Sequence, residues 1–182
     1  PSSVILTILM TRILGIDPGS RTTGYGVVEL EKGVYRHIES GALRIRGESL
    51  PERLHAIFES VREVLERCQP DDFAIENVFM HRNADSALKL GQARGAAICS
   101  AAGHDLKIYE YTPAEIKLAV VGRGNAAKAQ VQMMVRVLLS LKTNPQADEA
   151  DALACAICHG HHASGIQKLG LSLSGSTRGR WR

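Results

Sequence analysis

Four carboxylate residues occupy positions along the chain that suit a shared metal site. Asp17 ends a short apolar segment that runs into Pro-Gly-Ser, and Glu76 ends a second apolar segment. Both segments are typical of buried strands, and open α/β folds place their sites at the carboxyl ends of strands. Asp148 and Asp151 are three residues apart in a predicted helix, so they share one helix face.

Carboxylates that converge in this way would repel one another and raise their own pKa values. A divalent cation removes that repulsion, and all-oxygen ligands suit Mg²⁺, with Mn²⁺ as a substitute. Two such ions roughly 4 Å apart would clamp an in-line phosphoryl displacement, one activating the attacking water and the other stabilising the departing oxygen. The acids therefore predict metal-dependent cleavage of nucleic acid. For Asp148 and Asp151 an alternative stays open, because acids in a first turn also complement a helix dipole.

The positive charge of the chain is regional. The 182 residues carry a net charge of +3, yet residues 116–147 contain no acid and neither do residues 160–182. Such segregation predicts a face that binds a polyanion, whereas the alternative is a solvated helix face with a disordered tail. The basic residues of the first stretch are Lys117, Arg123, Lys128, Arg136 and Lys142.

A mixed sheet with helices would position these groups. Periodicity and turn signals predict an α/β fold with five strands and helices on both faces of the sheet. A capping box at Ser49 and Glu52 predicts the start of the first helix. The predicted strands are 12–17, 23–30, 34–44, 72–76 and 106–110; the predicted helices run from Ser49 to near Cys68 and over 84–102, 113–120, 126–140 and 146–161.

The predicted domain organisation is simple. Residues 1–9 are interpreted as an upstream extension or cloning remnant, 10–163 as one nuclease domain, and 164–182 as a basic, flexible tail. No apolar run is long enough to span a bilayer, and the start lacks the features of a signal peptide. The four cysteines lie in apolar or helical contexts, which favours a reduced, cytoplasmic protein over a disulfide scaffold.

Three further patterns have competing interpretations. Gly91 and Gly95 would let a second backbone approach one helix, either within the fold or from another subunit. The stretch from Cys155 to His159 matches the pattern of haem attachment, but it lies inside the acid-bearing helix and has no second ligand pair for zinc. The loop after Asp17 is also similar to the phosphate loop of actin-like ATPases and sugar kinases, although the chain has room for only one of their two halves.

Four segments together resemble the RuvC family of bacterial Holliday-junction resolvases. They are GIDPGSRTTGYG at 15–26, AIENVF at 74–79, NADSALKLGQARG at 83–95 and NPQADEADAL at 144–153. The similarity runs from about residue 11 to 161, in the family's order and spacing. Asn77, where Gln is common, and His81-Arg82 depart from the family pattern; both changes leave the four acids in place.

The resemblance implies an RNase H-like fold, a homodimer, and paired Mg²⁺-dependent nicks across a four-way DNA junction, with the branch-migration proteins RuvA and RuvB as partners. It places the acid tetrad on the four carboxylates above. It also implies a base-wedging role for Phe79 and essential roles for Lys117 and Lys128, with Arg123 as a further DNA contact in the same basic stretch. From the residues alone, alternatives stay open: Phe79 as a loop anchor packed into the core, and each lysine as a solvated surface residue. A junction-binding module without catalysis is a further alternative, against which the presence of all four acids argues.

Overall fold

The computed structural model describes residues 10–77 and 84–168. Five strands and five helices follow one another in the order βββαβαβααα. The strands are β1 (Thr11–Asp17), β2 (Thr22–Glu31), β3 (Val34–Arg44), β4 (Asp72–Glu76) and β5 (Lys107–Tyr111). The helices are α1 (Leu50–Cys68), α2 (Ala84–Ala102), α3 (Pro113–Val121), α4 (Lys128–Leu138) and α5 (Ala147–Lys168).

The five strands form one mixed sheet in the order β3-β2-β1-β4-β5. β1, β2 and β3 are antiparallel neighbours. Lys32 and Gly33, which both adopt positive φ angles (50° and 83°), form the tight hairpin turn between β2 and β3. β4 pairs in parallel with β1 and β5 pairs in parallel with β4, each reached through a helix. The predicted sheet is therefore confirmed.

A separate core fills the space on each face of the sheet. α1 and α2 cover one face, where Leu14, Ile16 and Phe73 are fully buried. α3, α4 and α5 cover the other face, which Ile13 and Val28 share with the apolar side of α5. Helices on both faces were predicted, and the alternation of strand residues between two cores is the physical reason. Within the described residues, no helix is long and apolar enough to cross a membrane.

Helix ends follow local capping chemistry. The predicted capping box is present: the Ser49 hydroxyl accepts from the Glu52 amide at 3.4 Å, and Glu52 accepts from the Ser49 amide at 3.5 Å. The predicted start of α4 at 126 is wrong, because Ala127 has extended backbone angles (φ −72°, ψ 152°) and the helix begins at Lys128. α5 was predicted to end near 161 and instead continues to Lys168, since no proline or capping glycine interrupts it.

Candidate functional site

Asp17 and Glu76 leave the sheet side by side. β1 and β4 run in parallel with Ile16 opposite Ile75, so the next residue of each strand emerges at the same edge. The two acids line a cavity of about 200 Å³ together with Asp151 and two lysines. The other lining residues are Pro113, Ile116 and Val131, so α3 and α4 contribute apolar groups as well as the two lysines.

The second pair of acids reaches this edge because α5 lies directly on the sheet. A Cβ atom at Gly24 would lie 2.0 Å from the carbonyl oxygen of Asp148, and one at Gly15 would lie 2.2 Å from the carbonyl oxygen of Ala152. Real Cβ atoms do not approach oxygen so closely, so only glycine allows the first turns of α5 to sit at this depth. The glycines of β1 and β2 therefore determine how near the helix acids come to Asp17.

The Asp17 carboxyl is strongly perturbed by its surroundings. Its pKa is raised from 3.8 to about 8, chiefly by burial and then by the negative charges of Glu76, Asp151 and Asp148, in that order. Lys128 opposes this effect. Three neighbouring carboxylates thus act on one buried acid, which is the electrostatic environment that favours binding of a cation.

Glu76 shows the same effect more weakly. Burial and the Asp151 charge raise its pKa to about 6, while Lys128 and then Lys117 lower it. Both lysines line the cavity. They supply positive charge to a site that would otherwise contain only acids and apolar groups.

Lys128 makes the most direct contact with the tetrad. Its Nζ lies 3.1 Å from Oδ2 of Asp151, and this hydrogen bond is the main reason that the pKa of Lys128 is raised. Lys128 is also the first residue of α4, and a cation at a helix N-terminus opposes the helix dipole. The charge of Lys128 therefore destabilises its own helix, and the contact with Asp151 compensates for this effect.

The remaining predicted residues lie further from the cavity or beyond the described residues. Asp148 acts on Asp17 through its charge and does not line the cavity. Arg123 is exposed in the turn between α3 and α4, also outside the cavity lining. Phe79 falls outside the described residues.

Across residues 10–77 and 84–168, no three His, Cys, Asp or Glu side chains are grouped closely enough to hold a metal ion, and Asp151 is instead paired with Lys128.

Two polar contacts around the acids were not predicted. Glu149 lies between the two helix acids in the sequence. Its carboxylate accepts a hydrogen bond from the Ser40 hydroxyl of β3 at 2.6 Å and another from the backbone amide of Gln146 at 3.1 Å. It therefore ties the first turn of α5 to the sheet. Arg94 of α2 donates through Nε to the backbone carbonyl of Glu76 at 3.2 Å and pairs with Glu110 at 2.5 Å. Both contacts join residues distant in sequence, and only Arg94 had a local signal, because it belongs to the family-like segment 83–95.

The cysteine and histidine pattern of α5 is structural. Cys155 and Cys158 are buried and free. His159 has both ring nitrogens engaged, Nδ1 with the Tyr111 hydroxyl at 2.8 Å and Nε2 with Asp72 at 3.1 Å. No nitrogen of His159 is left for a metal or haem, so this stretch anchors α5 to β4 and β5.

Comparison with known proteins gives a consistent result. The family model described as "Crossover junction endodeoxyribonuclease RuvC" matches residues 13–159. The protein of that name from Hahella chejuensis is 54% identical over 173 residues, which cover 95% of this chain and all of that protein. The one from Shewanella sediminis is 53% identical with the same coverage.

Solved structures agree with the sequence comparison. RuvC of Thermus thermophilus, in complex with a Holliday junction substrate, superposes with a TM-score of 0.80 at 35% identity, covering 88% of this chain and 97% of that one. A yeast mitochondrial Holliday junction resolvase superposes with a TM-score of 0.66 at 12% identity, covering 87% and 81%, and shows the shared fold. The predicted RNase H-like fold is thereby confirmed, and the kinase alternative is wrong. The chain belongs to the RuvC family of crossover junction endodeoxyribonucleases.

Proposed function

We propose that this protein resolves Holliday junctions by paired, symmetric, metal-dependent nicks during homologous recombination and DNA repair. The observation that carries the proposal is the acid site itself: Asp17 and Glu76 at adjacent strand ends, with Asp151 in the same cavity and Asp148 within electrostatic reach. Among the described residues, no hydroxyl or thiol side chain lines this cavity, and the carboxylates are proposed to hold metal ions rather than to attack the phosphate. Water is then the nucleophile, and hydrolysis of a phosphodiester is the reaction that this donor set serves.

The tetrad of Asp17, Glu76, Asp148 and Asp151 would hold Mg²⁺, or Mn²⁺ in its place. Two ions per site would serve the attacking and the departing oxygen of the displacement. The bound metal would lower the pKa of the attacking water and neutralise charge on the phosphate. The donor chemistry fits, because carboxylate oxygens are hard ligands and a divalent cation would relieve the repulsion that helps to raise the pKa of Asp17 to about 8. Asp151 must exchange its Lys128 partner to serve as a ligand, which frees the ammonium for a phosphate oxygen.

The basic residues next to the acids would bind the DNA backbone. Lys117 and Lys128 line the cavity and can neutralise the phosphate that is cleaved. Arg123 is exposed beyond them and would contact a phosphate further along the strand. Phe79 follows Glu76 by three residues, and we propose that its ring stacks on or wedges between bases at the junction.

Paired nicks require two sites related by a two-fold axis, so we propose a homodimer. α2 offers support for a contact between subunits. A Cβ atom at Gly91 or Gly95 would meet no described atom within 4 Å, and Leu88 on the same helix is 63% exposed. Close packing inside the described part of the chain therefore does not explain these glycines. RuvA and RuvB are the proposed partners in branch migration, and the cytoplasm, where the bacterial chromosome lies, is the proposed location.

A cleavage assay on matched substrates tests the proposal. A labelled four-way junction and a linear duplex of the same sequence are incubated with the protein, with Mg²⁺ or with EDTA. We expect paired nicks on the junction in Mg²⁺ only. Equal cleavage of both substrates would contradict junction selectivity, and binding of the junction without cleavage in Mg²⁺ would favour a binding module.

A further inference from the structure

Three arginines lie at the same sheet edge as the acids, one or two strands away from Asp17. Arg44 ends β3 opposite Thr22, Arg21 immediately precedes β2, and Arg46 follows in the next loop. We call Arg21, Arg44 and Arg46 the arginine rim. In the register of the sheet, Asp17 pairs with Gly24 and Gly24 with Ala42, so the rim lies just beyond the row that contains Asp17.

Arg44 projects to the face of the sheet on which α5 lies. Directly paired residues of antiparallel strands share a face, and side chains alternate along a strand. Gly24 faces the carbonyl of Asp148, so its partner Ala42 and the residue two further, Arg44, face the same way. The guanidinium of Arg44 is thus on the side of the sheet that carries the helix acids.

The rim arginines are exposed, and their charges are not neutralised within the described residues. None of the three forms an ion pair or a side-chain hydrogen bond with any part of 10–77 or 84–168. Other arginines of the fold are paired: Arg12 with Glu29, Arg67 with Glu39 and Arg94 with Glu110. Unpaired arginines from neighbouring chain segments form a surface that attracts anions.

The backbone that carries the rim is held in place. The amide of Ile45 donates to the carbonyl of Arg21 at 2.9 Å, and the Ile45 side chain is buried. Arg53 donates to the carbonyls of Gly47 and Glu48 at 3.3 and 3.2 Å, which fixes the loop after Arg46. Gly47 has a φ of 150° and its Cβ position is blocked by Arg53 and Glu52, so this conformation favours glycine. The arginines are therefore presented from an ordered edge.

We infer that the arginine rim binds the phosphate backbone of the DNA strand that passes through the acid site, on the Asp148 side of the scissile bond. This inference rests on the proposed function. Two strand spacings across the sheet and two residues along it place the backbone of Arg44 about 12 Å from that of Asp17. Successive nucleotides of one strand advance about 3.4 Å along the duplex axis and also wind round it, so a separation of this size corresponds to contacts a few nucleotides or fewer from the cleaved bond.

Salt-dependent binding separates a phosphate contact from a bystander charge. Binding of a labelled four-way junction is measured in EDTA from about 50 to 200 mM salt, for the wild type, Arg44→Gln, and the double variant Arg44→Gln/Arg46→Gln. The control is Arg36→Gln, because Arg36 is also exposed on β3 but lies toward its opposite end. Thermal unfolding of each variant confirms that it is folded.

We expect the slope of log K against log salt to become shallower by about 0.9 for Arg44→Gln and by about 1.8 for the double variant, with no change for Arg36→Gln. Neutral methylphosphonate linkages, moved one at a time along six nucleotides on each side of the cut, should weaken wild-type binding at a position within a few nucleotides of the cut and on one side of it only. The same linkage should have little further effect on Arg44→Gln.

Two outcomes would overturn the inference, and they differ from a failure of the proposed function. The first outcome is a salt slope equal to that of the wild type for both rim variants. The second is a loss of affinity from the neutral linkage that simply adds to the loss from the variant. Either result, with a wild type that binds and cuts the junction, would show that the rim does not contact these phosphates. A wild type that neither binds nor cuts the junction would instead remove the proposed function, and the rim with it.

Discussion

Replacing Asp17 with asparagine should stabilise the metal-free protein while abolishing cleavage. Asp17→Asn keeps the size of the side chain and removes an acid whose ionisation is opposed by burial and by three other carboxylates. An ordinary Asp side chain has a pKa of 3.8, whereas Asp17 has a pKa of about 8 in the fold. The unfolded chain therefore ionises this group freely at neutral pH, and the folded chain does not.

The size of the effect follows from proton linkage. A raised pKa in the folded state stabilises the fold fully below about pH 4, and this stabilisation is lost as the pH rises toward 8. At pH 7 the loss has a ceiling of about 4 kcal/mol, at 1.36 kcal/mol for each pH unit above 3.8. Relaxation of the site and solvent screening reduce it, so we expect about 2 kcal/mol. For a domain of this length that is about 4 to 8 °C in melting temperature.

Thermal unfolding in EDTA between pH 5 and pH 8 measures this effect. Asp17→Asn should melt above the wild type at pH 7 and 8, and the difference should shrink toward pH 5. Excess Mg²⁺ should raise the wild-type melting temperature more than that of the variant, since the ion binds only the folded state. Glu63→Gln, an exposed charge removal on α1, is the control and should shift neither curve. A melting temperature for Asp17→Asn equal to or below the wild type at pH 8 in EDTA would refute the reasoning.

Three further predictions concern the groups around the acids. Lys128→Gln should lower the rate of single-turnover cleavage at least about tenfold and lower the melting temperature in EDTA, because the acids lose their closest cation. An unchanged cleavage rate and an unchanged melting temperature would place the lysine outside the site. Gly24→Ala should destabilise the fold by about 2 to 3 kcal/mol in chemical denaturation, because its Cβ would collide with the Asp148 carbonyl, whereas Gly103→Ala, where the nearest atom is 3.5 Å away, should have little effect. Glu149→Ala should raise the Mg²⁺ concentration needed for half-maximal cleavage about tenfold without weakening junction binding, and an unchanged Mg²⁺ requirement would contradict its positioning role.

The strand-end acids were predictable because local chemistry determines them. An apolar run that stops at an Asp or Glu before a turn indicates a buried strand with its acid at the sheet edge, and a helix between two strands indicates parallel pairing. Asp17 and Glu76 therefore follow from short stretches of sequence. The capping box at Ser49 is equally local, and it was also confirmed.

The depth of α5 and its supporting contacts were not predictable in this way. Spacing shows that Asp148 and Asp151 share a helix face, but the distance between that face and the sheet depends on Gly24 meeting a backbone carbonyl of a helix far along the chain. The Ser40 and Glu149 contact joins residues 109 positions apart, and no local pattern marks it. The start of α4 was misplaced because Ala127, which has no side-chain acceptor, stands where a capping residue usually gives the signal.

The central claim is that the four carboxylates form one metal-dependent site for cutting DNA. Single-turnover cleavage of a four-way junction, with the protein in saturating excess and each acid replaced in turn, tests this claim most directly. The account predicts that Asp17→Asn, Glu76→Gln, Asp148→Asn and Asp151→Asn each bind the junction as the wild type does and each lose Mg²⁺-dependent cleavage at least about a hundredfold, in line with the loss of an electrostatic group from a catalytic site. Full cleavage in Mg²⁺ by any one of the four variants would contradict a shared site.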